Sequence, residues 1–385
     1  GGMAADAAAK GIREYDPNGS IGIVGDDNDP PYTRPALTKK LWTDPDFSPD
    51  DNWLNTADST GATLMTGTTV TAIDPARHTI TTQDGGQFGY GRLLLATGGK
   101  PKTLDVPASE RTIYFRSFTN YHELRRLSGN DRHIAVVGGS YIGTELAAAL
   151  VQNDTQATLI YPDEVLGGAM FPPALARHFE KTYEERGIRL YPKTKMSSGT
   201  LSDDGVALRL SDGNEQRFDG MVSGLGIEPC VDLAASAGLR TDNGIVVDEY
   251  LRTSVDDVYA AGDVANYPDH ILGRRRIEHV DNAKQMGATA GRIMAGSQEA
   301  YRYTPYYYSN VFDMSYQAVG TLDSSLTTIE DWAEPLKKGV VYYLDGDRVA
   351  GVLLWNVKDK LDAARDVLAD KRPQDESTLK GRIAF

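Results

Sequence analysis

The sequence predicts an α/β protein built on parallel sheets and followed by a smaller α+β region. Three observations predict it. Short β-branched runs alternate with helical stretches through most of the 385 residues, the pattern left by repeated βαβ units. A glycine-rich turn joins a strand to a helix near residue 138, and part of a second such turn opens the chain. After residue 305 the alternation stops and hairpin patterning takes over.

Each element has its own local reason. Ile21-Gly22-Ile23-Val24, Leu93-Leu94-Leu95-Ala96, Ile134-Ala135-Val136-Val137 and Thr158-Leu159-Ile160-Tyr161 are apolar runs of strand length and are expected to be buried. Residues 172–187 and 280–295 carry helical periodicity. Residues 43–60 are polar and acidic and read as a surface insertion. Val340–Leu344 and Val349–Leu353 flank Asp345-Gly346, a strong hairpin signal. A final helix is expected around Asp359–Ala369.

Composition narrows the function. With 40% hydrophobic and 24% charged residues the chain is of globular type. No apolar run approaches the roughly 20 residues of a membrane helix. The net charge of −14 disfavours nucleic acid as a partner. Arg274-Arg275-Arg276 is only a three-residue basic run, and it reads as a solvated loop. The single cysteine, Cys230, excludes an intramolecular disulfide, a cysteine-rich metal site and a Cys-x-x-Cys pair, so no metal is expected. It also fits a reducing, cytoplasmic compartment. Gly1-Gly2-Met3 shows no signal-peptide pattern.

The clearest motif is Gly138-Gly139-Ser140-Tyr141-Ile142-Gly143, between the Ile134–Val137 strand and a helix that carries Glu145. Amides at such a helix start can hold a pyrophosphate, aided by the helix dipole. Ser140 stands at the usual second glycine, so the backbone approach there is expected to be looser. Asp163 closes the next strand, where an acid accepts ribose hydroxyls and repels a 2′-phosphate, so NADH is expected over NADPH. The partial copy is Gly2-Met3-Ala4-Ala5 before helical Asp6–Glu14, with Ala5 at the helix-packing glycine position. Asp26 then follows the Ile21–Val24 strand as an adenosine-ribose ligand would. The first glycine and the strand before it are missing. The native polypeptide is therefore expected to begin before Gly1 with an apolar run ending in glycine. Ala96-Thr97-Gly98-Gly99-Lys100-Pro101 and the Gly262-Asp263 turn after Val258–Ala261 each end a strand with glycine. Gly262 would permit close cofactor approach, and Asp263 could accept a ribityl hydroxyl.

Together these segments resemble the FAD/NAD-linked reductases of the pyridine-nucleotide oxidoreductase superfamily. Within it the chain is most similar to apoptosis-inducing factor and to the ferredoxin and rubredoxin reductases. More specific elements carry the likeness: Pro31–Trp42, Gly224-Leu225-Gly226-Ile227-Glu228-Pro229 and Leu272–His279. The resemblance implies two Rossmann-like nucleotide domains, the NAD domain (112–235) inserted in the FAD domain (1–111 and 236–305), with an α+β interface domain at 306–385.

It also implies roles. Lys39 would lie beside flavin N5 with Arg34-Pro35 near FAD, and Glu145 would pair with Lys39 where hydride passes from nicotinamide to flavin. Physically, Lys39 would stabilise charge on the reduced flavin while Glu145 orients it and the carboxamide. A surface lysine and a first-turn glutamate favoured by the helix dipole are the plain alternatives. Val70, Glu278, His279 and Val280 are further implied FAD neighbours, and Gly224 and Gly226 further NAD neighbours. Amides after Glu278-His279 would face the flavin pyrimidine edge, with His279 a neighbouring ring rather than a base. Tyr308 takes the place of a Trp in relatives, and Asn310 that of an Asp. Cys230 replaces a common Asn and reads as a passive residue.

The function expected is an NADH-dependent FAD reductase. It would pass electrons to a one-electron carrier, ferredoxin or rubredoxin, or to a quinone-like acceptor, with a homodimer as a candidate assembly. An NADH redox sensor like apoptosis-inducing factor, forming a long-lived charge-transfer complex, and an NADH oxidase are the rivals.

Overall fold

A computed structural model describes residues 1–384. The chain divides into two compact units, each assembled from three stretches.

The first unit comprises Gly1–Pro35, Phe47–Lys100 and Glu228–Pro305. Its Met3–Tyr15 helix buries Ala4, Ala7, Ala8 and Ala9, small side chains that let another backbone come near. That backbone is the Val280–Met294 helix. A Cβ on Gly287 would collide with the Ala4 carbonyl, one on Gly291 with the Ala8 carbonyl, and one on Gly11 with the Ala288 carbonyl. The glycines at these positions thus set the helix spacing. Leu93–Leu95 pairs in parallel with Val258–Ala260, and Gly22–Val24 with Thr63–Met65. Leu95, Val258, Ala260, Met286 and Ala290 share one core.

One expectation fails here and another is narrowed. The Ile21–Val24 run is half-buried with Gly22 exposed, rather than a fully buried strand. Residues 43–60 lie largely at the surface as expected, but Asn52, Thr56 and Thr60 are buried. Their polarity serves the first helix. Thr56 Oγ1 donates to buried Asp6 Oδ1 at 2.7 Å, Lys10 pairs with Asp6 at 2.9 Å, and Arg13 Nε donates to the Thr60 carbonyl at 2.6 Å.

The second unit comprises Ala36–Asp46, Pro101–Ile227 and the chain from Tyr306 onward. Its parallel sheet runs in the order Arg189–Tyr191, Gln156–Ile160, His133–Val137, Gly220–Ser223, Thr112–Tyr114. The order reverses beside His133–Val137, the strand that leads into the Gly138 turn, and in open α/β sheets ligands bind at such a reversal. Beyond residue 305 lies an antiparallel sheet of five strands, ordered Tyr306–Val311, Met314–Gly320, Arg348–Trp355, Lys338–Asp345, Thr327–Glu334. Tyr316 stacks on Trp355, with centroids 5.6 Å apart and planes at 6°, and Phe171 meets both rings edge-on. The hairpin forms as expected, but Asp345 pairs with Arg348, so its loop is Gly346-Asp347. Gly346, at φ 62°, takes the left-handed conformation that the first loop position needs. The closing helix is Leu361–Ala369. The fold class is the expected one: parallel sheets followed by a C-terminal α+β region.

Candidate active site

In the second unit the Gly138 turn is built by backbone contact. Gly138 has φ 116°, and a Cβ on Gly143 would collide with the Gly138 carbonyl. One on Gly224 would stand 2.6 Å from the Gly143 nitrogen, and one on Gly139 would stand 2.9 Å from Tyr161 Cβ. Ser140 Oγ donates to the Gly224 carbonyl at 2.7 Å. The Ser140 hydroxyl thus acts as a strut to the neighbouring strand end. Ser140 makes no side-chain capping bond to the Tyr141–Val151 helix, leaving that N-terminus receptive to an anion. Ile142 is exposed beside it. Gly226, at φ 85°, accepts the Lys102 amide on its carbonyl at 3.1 Å. Asp163 is exposed, and its carbonyl receives the Lys193 amide at 2.9 Å. Tyr161 donates its hydroxyl to Glu180 at 2.7 Å, steadying the turn that carries Asp163.

One turn along the same helix, Glu145 is buried with 3% of its side chain exposed. Its Oε2 accepts from Lys39 Nζ and from Thr38 Oγ1, both at 2.6 Å, and its Oε1 accepts from Ser309 Oγ at 2.6 Å. A buried carboxylate without such donors would cost several kcal/mol. The Lys39 side chain is 17% exposed, and its ammonium lies 5.3 Å from the Tyr308 ring centroid, within cation–π reach. Burial pushes the Tyr308 hydroxyl up to about 12, with Glu145 and Tyr306 adding to the shift, so it stays protonated at neutral pH. Tyr141 and Tyr316 are hydrogen-bonded to each other, and burial pushes both hydroxyls above the ordinary tyrosine range. Backbone clasps fix the segment carrying Lys39. Trp42 Nε1 donates to the Leu37 carbonyl at 2.7 Å, Tyr121 Oη to the Leu41 carbonyl at 3.1 Å, and Asn153 Nδ2 to the Trp42 carbonyl at 3.1 Å.

The first unit presents another glycine-led helix start. Gly2 precedes Met3–Tyr15 with no side-chain cap, and open space surrounds the position where its Cβ would be. Ala5 faces Gly1, whose own Cβ would touch Ile23; the close helix-to-helix approach belongs to Ala4. Asp26 is exposed, whereas Asp27 accepts the Tyr32 hydroxyl at 3.0 Å and lies 3.9 Å from Arg34. Arg34 also lies over the Tyr32 ring at 5.1 Å, just before Pro35. Gly262 has φ 80°, and its Cβ would stand 3.0 Å from Ala4 Cβ.

Asp263 is half-buried, and its carbonyl accepts from Arg276, which pairs with Glu278 at 2.7 Å. Arg274 donates to the Val247 and Asn266 carbonyls, and Arg275 to the Leu272 carbonyl. The triple-arginine run is therefore a set of backbone braces rather than a solvated loop. His279 is the N-cap of the Val280–Met294 helix, its Nδ1 accepting the Asp281 amide at 3.3 Å. Ala96 is half-buried. Thr97 Oγ1 donates to the Cys230 carbonyl at 2.8 Å, and the Cys230 amide donates to Gly98, which sits at φ 61°. Val70 is half-buried against the unit's core.

Two uncapped helix starts, each led by glycine, fit two dinucleotide pyrophosphates. Thr38, Ser309 and Asp27 carry contacts that sequence reasoning missed. The hydroxyl at Thr38 inside the Arg34–Lys39 run was the only available hint. Among the described residues no group of three His, Cys, Asp or Glu side chains could hold a metal, and no helix is long and apolar enough to cross a membrane.

The pyridine nucleotide-disulphide oxidoreductase family matches residues 1–287. The chain belongs to that family. As a member it is an oxidoreductase whose cofactors are FAD and NAD(H). Residues 331–370 match the C-terminal region of mitochondrion-associated apoptosis-inducing factor.

The chain is 26% identical to a putative mitochondrial apoptosis-inducing factor 1 of Drosophila melanogaster, over 98% of its own length and 63% of that relative's. It is 31% identical to the ferredoxin–NAD(+) reductase component of the anthranilate 1,2-dioxygenase system of Burkholderia cepacia, over 96% of this chain and 92% of the relative. In structure it resembles the covalent putidaredoxin reductase–putidaredoxin complex, with a TM-score of 0.89, 28% identity, and coverage of 98% of this chain and 94% of that one. Unlike the disulphide chemistry in the family name, this sequence holds one cysteine and can form no internal dithiol.

Proposed function

We propose that this oxidoreductase is an NADH-dependent reductase that passes electrons one at a time to a small iron–sulfur or rubredoxin-type carrier, or to a quinone. The observation that carries the reading is the buried Lys39–Glu145 pair, a fixed positive charge held by a carboxylate with almost no solvent access. Bound FAD would supply the chemistry, accepting a hydride from NADH and releasing electrons singly. The chain's own groups do the rest. Lys39 offsets negative charge at the reacting ring, and Glu145 holds Lys39 in place. Amides of Ser140–Gly143 hold a diphosphate, and Asp163 receives ribose hydroxyls. Gly2, Ala5, Asp26, Arg34, Pro35, Val70, Ala96, Thr97, Gly98, Gly262, Asp263, Glu278, His279, Val280 and Tyr308 are assigned to FAD. Gly138, Gly139, Tyr141, Ile142, Gly224 and Gly226 are assigned to NAD. In this reading the FAD domain is 1–111 with 236–305, the NAD domain 112–235, and the interface domain 306–385.

The relatives named as ferredoxin and putidaredoxin reductases support a one-electron protein acceptor. A redox-sensor role has one observation in its favour, the apoptosis-inducing-factor match at 331–370. Anaerobic turnover with NADH and a panel of a [2Fe–2S] protein, rubredoxin and a quinone separates the two. The reductase reading expects at least one acceptor to reoxidise the flavin much faster than oxygen does, and turnover to survive Cys230→Ser. Failure of every acceptor, with a long-wavelength charge-transfer band persisting in air, replaces it with the sensor. Fast reoxidation by oxygen alone makes the protein an oxidase.

Asp163 yields a separate expectation. kcat/KM should favour NADH over NADPH by at least about tenfold, which needs only about 1.4 kcal/mol of differential binding. Asp163→Ala should narrow that ratio rather than lower both rates together. Equal efficiency with the two nucleotides in the unaltered protein would remove the assignment.

A further inference from the structure

The Lys39–Glu145 pair has a third partner from a distant part of the sequence. Ser309 lies on the Tyr306–Val311 strand, 164 residues beyond Glu145, and is 1% exposed. In that strand it pairs with Tyr316, and directly paired residues point to one face of a sheet. Tyr316 from this face meets Tyr141, and Ser309 meets Glu145 one helical turn later. Two polar contacts thus join the C-terminal sheet to the helix that opens the Gly138 turn.

We infer that Ser309 is a positioning residue: its hydroxyl fixes the Glu145 carboxylate, and through it the Lys39 ammonium, in the geometry that flavin reduction uses. The argument is one of lone pairs. An ionised carboxylate offers about four acceptor sites, and here Lys39 and Thr38 occupy two on Oε2 while Ser309 takes one on Oε1. The terminal torsion of a glutamate is soft. With both Oε2 donors on one side, Ser309 is the contact that stops the carboxylate from turning about that torsion. A serine buried in a strand ordinarily satisfies its hydroxyl on nearby backbone. This one instead donates at 2.6 Å to an acid whose Oε2 already holds a lysine. One acceptor site on Oε1 is left, aimed by the same bond.

The inference rests on the proposed role of Lys39 and Glu145, and the test keeps the two apart. FAD-loaded Ser309→Ala, Ser309→Thr, Glu145→Gln and Ser309→Ala/Glu145→Gln are compared by anaerobic rapid mixing with NADH and by thermal melting. Ser309→Ala should lower the limiting rate of flavin reduction by about tenfold, the order expected for one lost hydrogen bond to a charged group, with half-saturation little changed. Ser309→Thr, which keeps the hydroxyl, should restore most of that rate. On the Glu145→Gln background, removing Ser309 should add little to either the rate loss or the drop in Tm.

Losses that multiply on both backgrounds overturn the proposal, as does Ser309→Thr behaving like Ser309→Ala, or Ser309→Ala reducing at the unaltered rate. If Glu145→Gln itself reduces normally, the functional reading fails first. If Glu145→Gln is slow while Ser309 acts independently of it, only the Ser309 role falls.

Discussion

Lys39→Ala and Glu145→Ala should each slow flavin reduction by NADH by about a hundredfold while FAD stays bound, a loss of about 2.7 kcal/mol in transition-state stabilisation. Each substitution removes one half of a contact 2.6 Å long inside the protein. The surviving half cannot do the work alone. Without Glu145 the ammonium swings on its four-carbon stem, and without Lys39 the carboxylate becomes an uncompensated buried charge. The double variant should therefore lose far less than the product of the two single losses. Rapid-mixing measurements under anaerobic conditions read all three. Independent, multiplicative losses would mean that the two groups do not share one site.

Gly143→Ala should be the most damaging single-methyl change in the second unit. Its Cβ would collide with the Gly138 carbonyl, and Gly224 closes in from another side with its own Cβ position 2.6 Å from the Gly143 nitrogen. All of these neighbours are backbone, so nothing can rotate away. The helix start must separate from the strand end, at a cost of about 3 kcal/mol or more, and the turn that would hold the pyrophosphate opens with it. Thermal melting and NADH binding should fall together. Gly91→Ala is the matched control, since nothing lies within 4 Å of its Cβ position. Equal melting curves for the two variants would contradict the packing argument.

Much of this architecture could be read from sequence because its signals are local. A glycine turn needs only a few consecutive residues to specify strand, left-handed turn and helix start, and the 340–353 hairpin is just as short-range. What escaped was long-range or silent. Thr38 and Ser309 reach Glu145 across 107 and 164 residues, and a lone hydroxyl has no periodicity to betray it. Asp6 is buried and anchors Lys10 and Thr56, and the Thr56 contact ties part of the polar 43–60 stretch to the first helix across 50 residues. Arg274, Arg275 and Arg276 were misread for a related reason. A charge run shows its sign but not the backbone carbonyls it will bond. Gly287 and Gly291, four residues apart on one helix face, let the first helix approach closely, and that packing role went unread in the sequence.

The roles of Lys39 and Glu145 became legible only through family resemblance. Neither spacing nor composition would have joined a lysine at 39 to a glutamate at 145.

Loaded with FAD, this chain is expected to take hydride from NADH. Anaerobic titration of the FAD-loaded protein with NADH, followed by the flavin absorbance, tests it most directly. Complete bleaching is expected at about one NADH per bound FAD, the stoichiometry of a two-electron hydride transfer, with NADPH reacting much more slowly. Stoichiometrically bound FAD that stays oxidised in excess NADH would contradict it.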